Sequence, residues 1–250
     1  VTVATLLAQS QSGFLRSRGT TYARAQTASD TVNVVPDGAA CIAGQGLSGT
    51  NDIWENFVAF DLSAIPPAAV VQSALLGLYI TADASTQDFV LEARADAYGA
   101  TMELADWLTG TQIGSTDTLR ASLSTAAGVA LNVYTDMVDV AMTSLAQANV
   151  GTTLRLLLAS DRTRQAIPAI TAENVTFHGG TGANPARLVV TYVVPQPGLA
   201  TALDSSATVA LTDASGNVTV ADASPGLAIT EAAGNVALAD AAAGADLGDA

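Results

Sequence analysis

Residues 57–80, FVAFDLSAIPPAAVVQSALLGLYI, combine two strand patterns with a stiff corner between them. Val58, Phe60 and Leu62 alternate with Ala59 and Asp61, and after Pro66-Pro67 the period-two pattern resumes with Ala74, Leu76, Leu78 and Ile80 on one face. Two amphipathic strands joined by a proline-stiffened loop each need a partner sheet over the apolar face. That requirement predicts a β-sandwich, with this pair as its central strands.

Further short strands are predicted at 21–25, 31–35, 39–43, 56–62, 73–81, 89–95, 131–135, 153–160, 175–178 and 187–194, separated by Gly, Ser, Thr and Asp clusters. One short helix is predicted at Met142–Asn149. Many short strands between turn signals predict an all-β, jelly-roll-like β-sandwich over residues 20–195. Residues 1–19 read as a lead-in, with ATLLAQ suited to one helical turn.

Pro195-Gln196-Pro197-Gly198 marks a boundary. The 55 residues from Gln196 to Ala250 contain no basic and no aromatic side chain. Acidic residues recur there every nine positions, at Asp204, Asp213, Asp222, Glu231, Asp240 and Asp249. The apolar pairs Val209 and Leu211, Val218 and Val220, Leu227 and Ile229, and Val236 and Leu238 follow the same period. This C-terminal nonapeptide β-repeat tail predicts a stacked or meandering strand–turn array. Two medium aliphatic side chains per unit do not offset the ordering of nine backbones. The eight apolar residues are therefore expected to act in assembly, with copies of the chain or with other proteins. A calcium-binding nonapeptide roll needs paired glycines, which the units lack, and Asp213-Ala214-Ser215-Gly216 suits a type I turn instead.

Nine arginines and no lysine stand against 23 carboxylates, a net charge of −14. Such a surface repels phosphate backbones, so no nucleic-acid partner is expected. No apolar run is long enough for a membrane-spanning helix, so no membrane insertion is expected. One cysteine (Cys41) and one histidine (His178) cannot supply a Cys/His zinc site of the usual ligand count.

Phe60-Asp61-Leu62-Ser63-Ala64-Ile65-Pro66, followed by Ser73-Ala74-Leu75-Leu76-Gly77-Leu78-Tyr79, resembles the signature of the DNRLRE domain family. Val138-Asp139-Val140, Leu154–Leu158, Val175-Thr176-Phe177 and Pro185–Tyr192 agree in order. The resemblance covers roughly residues 20–194. It implies a carbohydrate-binding-module-like sandwich at an extracellular surface, with glycan binding in some members and no known enzyme activity.

Trp54 and Trp107 are the glycan-binding candidates, since an exposed indole stacks on a sugar ring; the competing expectation is that each plugs an end of the sandwich. Asp52 and Glu55 beside Trp54 are weak Ca²⁺ candidates, and no other cofactor is expected. Glu103 and Asp106 form the most suggestive carboxylate pair, and solvated surface is the plainer reading. Gly44-Gln45-Gly46-Leu47-Ser48-Gly49 matches a dinucleotide-binding pattern, but a β pattern rather than a helix follows it, so an inter-strand loop is expected. His178 is expected at a strand end pointing away from the core, and Asp161, Arg162 and Arg164 in a solvated turn. No enzyme is expected. The sequence favours a structural protein of an extracellular multi-copy assembly, such as a virion decoration or fibre component, or alternatively a glycan-binding module. The resemblance implies an extracellular surface, and with no leader visible at the start of the sequence and an assembly-prone tail, a virion or cell surface is the expected location.

Overall fold

The computed structural model describes residues 1–35, 39–96, 98–99, 102–116 and 118–195, and the backbone of five short strands beyond them. The first thirteen strands are β1 (Thr2–Leu7), β2 (Gly13–Gly19), β3 (Thr31–Val35), β4 (Ala40–Leu47), β5 (Asn51–Asp61), β6 (Val70–Asp83), β7 (Val90–Ala95), β8 (Leu119–Ser124), β9 (Val133–Asp136), β10 (Val138–Asp139), β11 (Thr153–Ser160), β12 (Ala172–His178) and β13 (Arg187–Val193). Four short helices, α1 (Tyr22–Gln26), α2 (Gly110–Thr116), α3 (Met142–Ala148) and α4 (Asp161–Arg164), lie between them.

These strands form one antiparallel sheet in the order β1-β13-β6-β12-β4-β5-β11-β7-β8-β10, with β2 and β3 joined through β5 and β9 joined to β6. The sheet curls so that strands far apart in this order share one core: Phe60, Leu78, Leu156, Phe177, Leu188 and Val190 are all fully buried in it. The protein is thus all-β and sandwich-like. β5 and β6 are not hydrogen-bonded neighbours, since β12 and β4 lie between them. The Pro66-Pro67 loop carries the chain from one to the other rather than turning it back as a hairpin.

β5 differs from the half-exposed strand its alternation suggested. Residues 52–60 are all buried. Val58 and Phe60 face the main core, while Ile53, Phe57 and Ala59 face a second core with Leu15, Leu157, Tyr98, Trp107 and Ile113. Covering both faces of a strand removes the polar half of the alternation.

Residues 1–19 are not a lead-in. They form β1, paired with β13 from Thr2↔Tyr192 to Leu7↔Arg187, and β2, paired with β5 from Gly13↔Phe57 to Gly19↔Asn51. ATLLAQ is mostly strand rather than a helical turn because TVATLL alternates and finds a partner edge. The strand expected at 21–25 is instead α1, where Thr21 accepts a hydrogen bond from the Arg24 N–H and Ala-Arg-Ala-Gln favours helix. The helix expected at 142–149 is α3. Its Gln147 and Thr143 side chains accept from the N–H groups of Val71 (2.7 Å) and Ala74 (3.1 Å), closing the start of β6.

The chain divides into two units, Val1–Val193 and Val194–Ala250. The break falls two residues before the expected boundary. In the second unit the described strands are β14 (Thr201–Ala202), β15 (Val218–Ala221), β16 (Ala228–Ile229), β17 (Val236–Ala239) and β18 (Asp246–Leu247). All pair in parallel: Thr201 with Thr219, Val218 with Val236, and Ala228 with Asp246. Each offset is 18 residues, two nonapeptides, and the strands fall into separate ladders, β14-β15-β17 and β16-β18. Parallel pairing at a constant two-unit offset is the backbone arrangement of a β-solenoid. Of the expected assembly residues, Val218, Val220, Ile229, Val236 and Leu238 lie on these strands, and Val209, Leu211 and Leu227 fall outside the described residues.

Candidate functional site

Neither indole offers a face to a sugar. Trp54 and Trp107 are each only 9% exposed. Trp54 lies in β5, with Gly46 alongside and the Arg16 guanidinium 5.5 Å from its ring centroid. Trp107 packs in the second core, and its indole N–H donates to the Gln26 carbonyl at 2.9 Å. Trp107 therefore ties the segment after β7 to α1. Both behave as packing residues, and stacking on a glycan through them would require opening the fold.

Asp52 and Glu55 do not converge on a cation. Three positions apart on a strand, they point to opposite faces of β5. Asp52 accepts from Arg16 (3.0 Å) and Arg18 (2.9 Å), so its charge is already neutralised. Glu55 is fully buried on the second-core face, where the Leu108 N–H donates to Oε2 at 3.1 Å and Oε1 has no partner. Desolvation holds its carboxyl well above the usual range, and the Asp96 charge pushes the same way against the Leu108 hydrogen bond. Burial that disfavours the charged form makes this carboxyl a poor Ca²⁺ ligand. Among the described residues no group of three His, Cys, Asp or Glu side chains gathers to hold a metal.

The remaining candidates resolve into structural roles. Glu103 donates its backbone N–H to Asp106 Oδ2 at 2.7 Å, closing a single 3-10 turn, Leu104–Asp106. Asp161, Arg162 and Arg164 are not a solvated turn. Asp161 accepts from the Val90 N–H at 2.9 Å, Arg162 pairs with the fully buried Glu173 at 2.7 Å, and Arg164 pairs with the buried Glu92 at 2.8 Å. Gln45 extends this network, donating to Glu173 (2.6 Å) and accepting from the Tyr22 hydroxyl (3.0 Å). The glycine pattern is also strand rather than loop. Gly44 and Gly46 lie within β4, and Gly44 sits at φ +124° where a Cβ would fall 2.1 Å from the Glu173 carbonyl oxygen. Only glycine fits there.

A surface feature that the sequence reading missed lies on the outer side of β6. His178, at the end of β12, stacks on Tyr79 with ring centroids 4.9 Å apart and 14° between planes. Tyr134 of β9 meets Tyr79 edge-on at 5.4 Å, and the Arg187 guanidinium lies 4.1 Å from the Tyr134 centroid while pairing with Asp136 at 3.2 Å. The row is half-buried, and much of each ring face is covered by its neighbour. What it turns outward is mainly ring edges with imidazole, guanidinium and carboxylate groups among them. Alternation in β6 placed Tyr79 opposite the core-facing Leu78 and Ile80. Its neighbours come from β9 and β12, and that cross-strand register has no sequence signature.

Compared with known proteins, no family model matches this chain, and no curated protein matches it. The fold and the surface define a class only: an all-β, sandwich-like unit whose acidic candidates are either buried in ion pairs and cores or engaged in turns, followed by a parallel nonapeptide repeat.

Proposed function

We propose that this chain is a non-catalytic structural protein of an extracellular multi-copy assembly, such as a virion decoration or fibre component, in which the sandwich is held by its C-terminal repeat. The observation that supports this reading is the constant 18-residue parallel offset of the tail strands. A solenoid of stacked units presents unpaired strands at its ends, which caps or neighbouring copies must cover. Light scattering after size exclusion tests it. The full chain is expected at a higher copy number than residues 1–195, whose own cores allow them to fold separately. Equal copy numbers for the two would remove the tail from assembly.

A second reading, glycan recognition, draws support from the Tyr79–Tyr134–His178 row rather than from the indoles. Ring edges bordered by Arg187 and Asp136 suit a polyhydroxylated surface ligand. A glycan array probed with wild type and with Tyr79→Ala is the test. Binding that Tyr79→Ala abolishes supports this reading, and no binding by wild type removes it.

A further inference from the structure

Strand β1 is the longest open edge among the described residues: it pairs with β13 and with no other strand, while the five-residue β3 pairs only with β2. In an antiparallel edge strand alternate residues turn their N–H and C=O groups outward, where they template another strand. Folded proteins usually blunt such an edge with a charge, a proline, a bulge or brevity. Another open edge, β10, is two residues long and ends in Asp139. β1 has none of these devices. It is TVATLL, uncharged, with an unbroken register over all six residues.

Both faces of β1 are apolar and incompletely covered. Val3 is 61% and Leu7 53% exposed on the outer face. Ala4 and Leu6 pack against the main core yet stay half-buried, and no described strand lies beyond them along the sheet. An occupant must therefore supply a strand's hydrogen bonds and apolar side chains on both faces.

We infer that this occupant is β1 of a second copy, docked antiparallel across a two-fold axis through Thr5. In that register Val3 faces Leu7 of the other copy on the outer side, Thr5 faces Thr5, and Ala4 faces Leu6 on the core side. Apolar pairs and a Thr–Thr pair directly opposite one another are the favourable cross-strand combinations. A register centred on Ala4 instead sets Val3 against Thr5 and Leu6 against Thr2. Charge points to the same strand. Each copy carries a net −14, and neither β1 nor its neighbour β13 contains a carboxylate, so β1 meets β1 without a carboxylate in either strand. The edge belongs to the first unit, Val1–Val193, and a two-fold contact closes on itself as a dimer.

Cysteine cross-linking on the full chain reads the contact and its register. Thr5 is exposed, so Thr5→Cys leaves the fold intact, and Cys41 is buried and silent. Under mild oxidation Thr5→Cys is expected to run mainly as a disulfide-linked dimer, since directly opposed residues lie within bridging distance. Val3→Cys is expected to give none, because its two copies stand four residues apart along the strand, about 14 Å. Absence of a Thr5→Cys dimer, or equal cross-linking at both positions, overturns the proposal. A charge test follows by light scattering: Val3→Lys/Leu7→Lys is expected to abolish the edge contact and Val3→Glu/Leu7→Lys to retain it, and identical behaviour of the two overturns it. Assembly through the tail is untouched by these variants. Tail-dependent oligomers without a Thr5→Cys cross-link would sink the edge contact alone.

Discussion

β5 and β6 come from the same stretch of sequence and have similar alternation, yet their surroundings differ. β5 is covered on both faces, by the main core through Val58 and Phe60 and by the second core through Ile53, Phe57 and Ala59. β6 is covered on one. Leu76, Leu78 and Ile80 are fully buried, while Leu75 and Tyr79 face outward. The difference does not lie in the strands. It comes from the segment after β7, which brings Tyr98, Met102, Trp107 and Ile113 over the outer side of β5, and from the absence of any such cover over β6 among the described residues.

The largest expected effect tests the double cover. Phe57 is fully buried and meets Tyr98 edge-on at 5.1 Å. Phe57→Ala is expected to cost about 3–5 kcal/mol in urea unfolding, the range for truncating an aromatic in a packed core. A loss below about 1 kcal/mol would mean that the segment after β7 is not packed on β5.

Glu55 gives a second, pH-dependent test of the same layer. Its carboxyl is held above the usual range in the folded protein and is ordinary when unfolded, so between those values the folded state binds more protons. Stability contributed by this group is therefore complete in acid and falls as pH rises, by at most about 1.4 kcal/mol per unit. Glu55→Gln keeps an acceptor for the Leu108 N–H and removes the ionisation. The variant is expected to be more stable than wild type at neutral pH, with the advantage widening from pH 5 to pH 8. Parallel stability profiles for the two proteins would show that Glu55 is not buried under the second layer.

What the sequence allowed one to read follows from the same contrast. Short apolar strands bounded by turn residues were legible: β3 and β11 fall at the expected bounds, and β6, β7 and β13 within a few residues. Positions whose character depends on a distant partner were not. Trp107 is a core residue because α1 supplies the Gln26 carbonyl, and the Glu55 carboxyl is pushed well above the usual range because burial in the second core takes it out of water. Arg162 and Arg164 are structural because β12 and β7 present buried carboxylates to α4. β1 escaped notice because an edge strand needs only half a pattern and one partner. In the tail the nine-residue period was visible, but whether one unit or two make a turn depends on the pairing offset, which the repeat itself does not encode.

The smallest effect is expected on the open side of β6. Leu75 is 37% exposed and sits between Val189 of β13 and solvent. Leu75→Ser removes a partly covered side chain, opens no cavity and leaves the strand's hydrogen bonds in place. Its cost is expected to stay below about 1 kcal/mol, since substitutions away from packed or strained sites seldom exceed that. The measurement belongs beside Phe57→Ala under the same conditions. A Leu75→Ser loss of about 3 kcal/mol, with cooperative unfolding preserved, would mean that something covers the outer face of β6 in solution. A concentration dependence of that loss would identify the cover as another copy of the chain, because only a partner's contribution scales with the protein present.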